Sequence, residues 1–161
     1  MKTAIVTLLA AGLLLSGRAL PAEPQLDVPV DARDAVAIVD HFFAALSAGD
    51  LDRAGAMLDP RVVILESGGA EHSAQEYLGG HAKGDAAFLG QAHQRLQRRT
   101  ARIDGDLAWV ASESELHTQR EGKPAVTLST ETMVLQSTRA GWMIVHIHWS
   151  SRVRKTDGAG H

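Results

Sequence analysis

The chain has 161 residues, with 16 Lys and Arg against 19 Asp and Glu for a formal net charge of −3, and it contains no cysteine. Disulfides and thiol chemistry are therefore excluded. The acidic balance, relieved by one basic cluster (RLQRRTAR, 95–102), argues against a nucleic-acid partner, because phosphate binding needs a concentrated basic surface.

The N-terminus reads MKTAIVTLLAAGLLLSGRALPAEPQ. A basic residue, an apolar run from Ala4 to Leu15 and small residues beyond it are the layout of a secretory signal peptide. Twelve helical residues rise only about 18 Å, short of a membrane core of about 30 Å. Cleavage is expected after Ala22, with Ala19 as the alternative, giving a periplasmic or secreted product with no membrane span. Loss of Lys2 and Arg18 takes the balance to 14 − 19 = −5. The remainder is long enough for one ordinary core.

Residues 23–31 hold two prolines and no amphipathic period and read as a linker. A domain is expected over 32–153, and 154–161 read as a disordered tail. Asp31 suits an N-cap, and Val36, Val39, Phe43 and Leu46 recur at helical spacing. Gly49 ends that helix and Asp50 caps a short second one. RVVILE (61–66) reads as a strand turned by SGG. Ser73-Ala-Gln-Glu76 is a capping-box pattern that opens a third helix, and its glycines predict a break near Lys83-Gly84.

From Gln94 onward the period changes to two. Strands are expected at about 94–103, 107–119, 124–137 and 141–153, separated by Asp104-Gly105, Glu121-Gly122 and Ala140-Gly141. Helices first and an antiparallel meander afterwards make an α+β fold. On the last strand Met143, Val145, Ile147 and Trp149 form a uniformly apolar face, which places His146 and His148 on the other. By the same alternation Glu131 travels with Met133 and Leu135, and Glu113 with Leu107 and Trp109. Joined, these faces give a Trp- and Met-rich wall carrying inward carboxylates, whose pKa burial would raise. The other reading puts Glu113 and Glu131 at an open rim.

This order of elements, with STETMVL (129–135) and the closing GWMIVHIHWSS (141–151), resembles the nuclear transport factor two-like superfamily, and its SnoaL-like members in particular. The same ending is similar to the association domain of calcium/calmodulin-dependent protein kinases. The resemblance implies a cone, a curved antiparallel sheet wrapped around the N-terminal helices with an internal pocket. It also implies isomerase, cyclase or dehydratase chemistry, or binding without reaction. Trp149 matches a pocket-lining position. Met133 and Glu113 stand where the kinase hubs carry pocket arginines, so a hub-like anion site is not expected.

Three functions compete. The first is an exported pocketed domain for a small apolar or amphipathic molecule, walled by Tyr77, Trp109, Glu113, Glu131, Met133 and Trp149, with Glu113, His81 and Asp85 as candidate acids or bases. His81 and Asp85 stand at i, i+4, with Tyr77 one turn before. The second is a periplasmic metal protein using His146 and His148, whose side chains are about 6.6 Å apart on one strand face, helped by His81, Asp85 or Glu71. The third is a homodimeric interaction module using the outer sheet face. No cofactor is expected, since neither a Gly-rich phosphate loop nor an HExxH or nucleophile-elbow motif is present.

Overall fold

In the computed structural model, residues 22–155 are described. The expected signal segment up to residue 21 and the tail from 156 to 161 lie outside them. The elements run β1 (Gln25–Asp27), α1 (Arg33–Ser47), α2 (Leu51–Gly55), β2 (Leu58–Glu66), β3 (Gly69–Glu71), α3 (Ala74–Gly79), α4 (Ala82–Leu89), β4 (His93–Asp104), β5 (Leu107–Arg120), β6 (Lys123–Thr138) and β7 (Gly141–Val153). A short 3-10 turn, Val30–Ala32, leads into α1.

Local chemistry accounts for these boundaries. Asp50 Oδ1 accepts from Arg53 N at 3.0 Å to start α2. Ser73 Oγ accepts from Glu76 N at 3.1 Å to start α3, while Glu76 Oε2 reaches back to His72 N at 2.8 Å. The expected break in the third helix falls earlier than Lys83-Gly84, at Gly80 and His81, where α3 ends and α4 begins. Between β5 and β6 the two-residue loop Glu121-Gly122 has φ of 51° and 73°. Left-handed values at both positions match the twist of the flanking strands and favour glycine.

The strands form one curved, unclosed sheet in the order β1-β4-β5-β6-β7-β2-β3. Strands β4 to β7 are the expected antiparallel meander. β2 joins β7 in parallel, and β3 adds a hairpin at that edge. β1 pairs in parallel with β4 through Gln25–Asp27, so the segment read as a linker supplies an edge strand.

Helix α1 lies against the inner face of the sheet and buries Ala35, Val39, Phe42, Ala45 and Leu46. Its buried stripe is centred on Phe42, while Val36 and Phe43 pack from its shoulder. Facing it, the inner sheet surface is built in rows. Ala101, Val110, Met133, Ile147 and Ile64 occupy neighbouring register positions on β4, β5, β6, β7 and β2. All five are buried to within 1%. The adjacent row, Ile103-Ala108-Leu135-Ile144, is apolar too. These rows and α1 form the core.

Two irregularities set which side chains look inward. The pairing of β6 with β7 shifts between Val134 and Leu135, leaving Val145 as an extra residue. Ile144 therefore turns inward in place of Met143 and Val145, and only Ile147 and Trp149 of the expected face keep their side. The pairing of β4 with β5 shifts at Gln97 in the same way, which brings Arg99 onto the inner face.

Candidate functional site

The row beyond the apolar rows is where the chemistry lies. Arg99, Ser112, Glu131, Trp149 and Glu66 stand side by side across β4, β5, β6, β7 and β2. The next row outward, Leu96-Ser114-Ser129-Ser151, is mostly hydroxyl-bearing. The inner face thus grades from packed hydrocarbon to a polar mouth, with a cavity at the transition. Phe43, Phe88, Trp149, Glu66, Asp85 and Glu131 line it, with the serines of both rows. Its volume is about 70 Å³, small beside the roughly 300–1,000 Å³ of sites for drug-sized ligands.

Trp149 fixes the cavity floor. Its ring stacks on Phe42 (centroids 6.4 Å apart, planes at 21°), meets Phe43 edge-on at 6.5 Å and tilts against Tyr77 at 6.1 Å. Such aromatic pairs contribute about 0.5–1.5 kcal/mol each beyond area burial, so the indole is held rigidly. Its Nε1 donates to Glu131 Oε2 at 2.9 Å. Glu131 is 7% exposed, and its Oε1 has no hydrogen-bond partner. Burial pushes the Glu131 carboxyl above its ordinary pKa, outweighing the lowering by Trp149, Ser112 and Arg99. Arg99 is itself committed: its Nε donates to Ser112 Oγ at 3.2 Å and its Nη1 to Asp40 on α1.

A second acidic group sits across Trp149. Tyr77, fully buried, donates its hydroxyl to Asp85 Oδ2 at 2.9 Å. Burial raises the pKa of Asp85, which the Tyr77 hydrogen bond only partly offsets. Burial and the charge of Asp85 raise that of Glu66. His81, largely exposed, hydrogen-bonds through Nδ1 to the buried Glu71, which raises the imidazole pKa.

The structure brings together Glu131, Trp149 and Asp85 in the cavity, with Tyr77 directly behind. It does not bring the other candidates there. Glu113 is on the outer face, where Arg98 Nε lies 3.4 Å from its carboxylate, and Trp109 is 41% exposed on the same face. Both inward assignments are corrected. The inner positions of β5 are Ala108, Val110, Ser112, Ser114 and Leu116, with the small Ala108 and Val110 in the apolar rows that face α1. Met133 packs in the apolar row beneath the cavity and does not line it. His81 binds Glu71 outside the cavity lining.

His146 is half-buried with Nδ1 2.9 Å from the Val63 carbonyl oxygen, and His148 is exposed. Both are on the outer face, and among the described residues no three His, Cys, Asp or Glu groups converge as a metal site. Sequence reasoning passed over Glu66, Ser112, Phe43 and Phe88. Glu66 was legible as the third inward residue of Val62-x-Ile64-x-Glu66.

Residues 36–154 match the model of the SnoaL-like domain. A ketosteroid isomerase-like protein from Shewanella frigidimarina is 33% identical, with a TM-score of 0.69 over 73% of this chain and 94% of that one. The S. rosetta calcium/calmodulin-dependent protein kinase II hub is 22% identical, with a TM-score of 0.66 over 83% of this chain and 100% of the hub. A dehydratase-like protein of the nuclear transport factor two-like family from Streptomyces avermitilis is 17% identical, with a TM-score of 0.62 over 76% and 96% of the two chains. No curated protein sequence shows a significant match.

Proposed function

Given that the chain belongs to the SnoaL-like family and has its cone-shaped fold, we propose that it binds a small, partly apolar molecule on Trp149 and moves a proton to or from it through Glu131. The observation that carries this reading is the buried Glu131 carboxyl. One oxygen is anchored by Trp149, while the other is unpartnered in a side chain that lines the cavity. A general acid or base needs a positioned carboxyl whose pKa is drawn up from the ordinary carboxylate range, and burial supplies that here. The ketosteroid isomerase-like neighbour agrees with proton transfer next to a carbonyl. The signal-like layout of residues 1–22 supports an activity outside the cytoplasm.

The test is α-proton exchange of small ketones in D2O, followed by NMR. Cyclohexanone and its dimethylamino-substituted analogue serve as probes, so that the assay does not presuppose a charge on the substrate. Exchange faster than in buffer with either ketone, lost in Glu131→Gln, is expected. Exchange at the buffer rate with both, or an unaltered rate in the variant, overturns the proposal.

A second reading concerns assembly. Trp109 and Leu107 on β5 and Leu65 on β2 are exposed large apolar residues, and Trp109 and Leu65 share the outer face with the two histidines. Kinase association and hub domains are among the structural neighbours. We assign that face to contact with a second copy of this chain.

A further inference from the structure

We propose that the cavity selects a small organic cation, a protonated amine carried on an apolar body. This deepens the preceding reading of the cavity as a small-molecule site and rests on it. Three observations point there.

The first is charge. Glu66, Asp85 and Glu131 line the cavity, and among the described residues lining it there is no Lys, Arg or His. Neighbouring cations compensate only in part. Arg99 is tied to Asp40 and Ser112, and His81 is tied to Glu71. An anionic ligand would meet three carboxyls and no cation in the lining.

The second is an unmet hydrogen-bonding demand. Glu131 Oε1 is buried and has no hydrogen-bond partner, and a carboxylate oxygen is costly to leave in that state. An ammonium group supplies the missing donor together with the missing charge. The raised pKa values of all three carboxyls have the same leading origin: desolvation outweighs the lowering by the nearby cation, His81 for Glu66 and Asp85 and Arg99 for Glu131.

The third is the arrangement of the aromatic rings. Glu66 and Glu131 both pair with Trp149, from the two neighbouring strands, so they flank the indole two strand spacings apart, about 9–10 Å. Phe43 and Phe88 complete the apolar lining. Carboxylates beside aromatic faces recognise ammonium groups through charge and the ring quadrupole together. An inorganic ion is a poorer fit, because the described residues contain no converging set of three ligands. Tyr77 and Phe42 back the indole from the core, and the rigid floor that results favours a compact ligand.

The experiment compares benzylamine, benzyl alcohol and benzoate, which share an apolar body and differ in charge, by titration calorimetry on the full chain. The expected order is benzylamine first by roughly tenfold or more over benzyl alcohol, with benzoate weakest. Benzylamine affinity should also fall as pH drops and the carboxyls take up protons, while the amine itself stays charged. Glu66→Gln, which leaves Glu131 intact, should remove most of the preference without abolishing benzyl alcohol binding. Equal or tighter binding of benzyl alcohol or benzoate overturns the cation assignment and leaves the small-molecule site standing. No binding of any probe overturns both.

Discussion

Replacing Glu131 by Gln is the most informative single change, because it keeps the shape of the side chain and removes its ability to ionise. In the folded protein the carboxyl is 7% exposed, with one oxygen bonded to Trp149 Nε1 and the other without a partner. Ionisation leaves that second oxygen buried and charged, which costs about 1–3 kcal/mol. The sign follows from linkage. A carboxyl whose folded pKa lies above the ordinary value of 4.5 binds its proton more tightly when folded. Its stabilising contribution is complete below about pH 4.5 and is lost as pH rises through the raised value.

The Gln variant has no such dependence, and its carbonyl oxygen still accepts from the indole. It should therefore match the parent near pH 4 and exceed it by about 1–3 kcal/mol at pH 8. For a domain of this size that is a rise of roughly 3–10 °C in Tm. Thermal unfolding followed by circular dichroism across pH 4–8 measures the difference. A variant less stable than the parent at pH 8, or a difference that does not change with pH, refutes the reasoning.

Three further outcomes are expected. Ser73→Ala should cost about 1 kcal/mol in chemical denaturation, since it removes the acceptor for Glu76 N at the start of α3; a loss below a few tenths would show the cap to be idle. Tyr77→Phe should cost about 0.5–1.5 kcal/mol and move the Asp85 titration further up, seen by carboxyl NMR, because the Tyr77 hydroxyl is what holds that pKa down. Trp109→Ser should lower the sedimentation-derived mass from dimer to monomer while leaving the circular dichroism spectrum unchanged; an unaltered mass would remove the outer face as the contact between copies.

The long strands were legible in the sequence almost to the residue. Asp104-Gly105, Glu121-Gly122 and Ala140-Gly141 mark chain reversals by local chemistry alone, and the intervening segments alternate. β1 and β3 were not legible. Three residues carry no measurable period, and each exists because a longer neighbour offers it unpaired backbone groups. The inner face of β5 was misread for a different reason. Leu107 and Trp109 outweigh Ala108 and Val110 in hydrophobicity, but the space beneath α1 selects for size. Sequence gives hydrophobicity directly and available volume only through the assembled fold.

The same division holds for the candidate site. Glu131, Asp85 and Trp149 were identified from periodicity and from the resemblance to SnoaL-like proteins. Arg99 and Ser112 were not, because the extra residue at Gln97 sets the face of Arg99, and a one-residue shift is invisible in composition or pattern. Glu113 looked equivalent to Glu131 in the sequence. Only the register, which sets Ser112 opposite Glu131 and turns Glu113 away toward Arg98, separates the two carboxylates.

The two shortest strands have a consequence for how copies of this protein can meet. An open sheet ends in rows of free N–H and C=O groups that can template another chain without limit. Here one margin is finished by β3, only three residues long. At the other, β1 covers Arg98, Arg99 and Thr100, and the guanidinium of Arg102 is clasped to Asp27. β1 covers only three of the twelve residues of β4, so the rest of that margin must be protected by its side chains. The uncovered part of β4 carries Arg95 and Arg102, charges that disfavour pairing with the edge of another copy. Short terminal strands and charge at the margins thus work together against edge-to-edge pairing of copies.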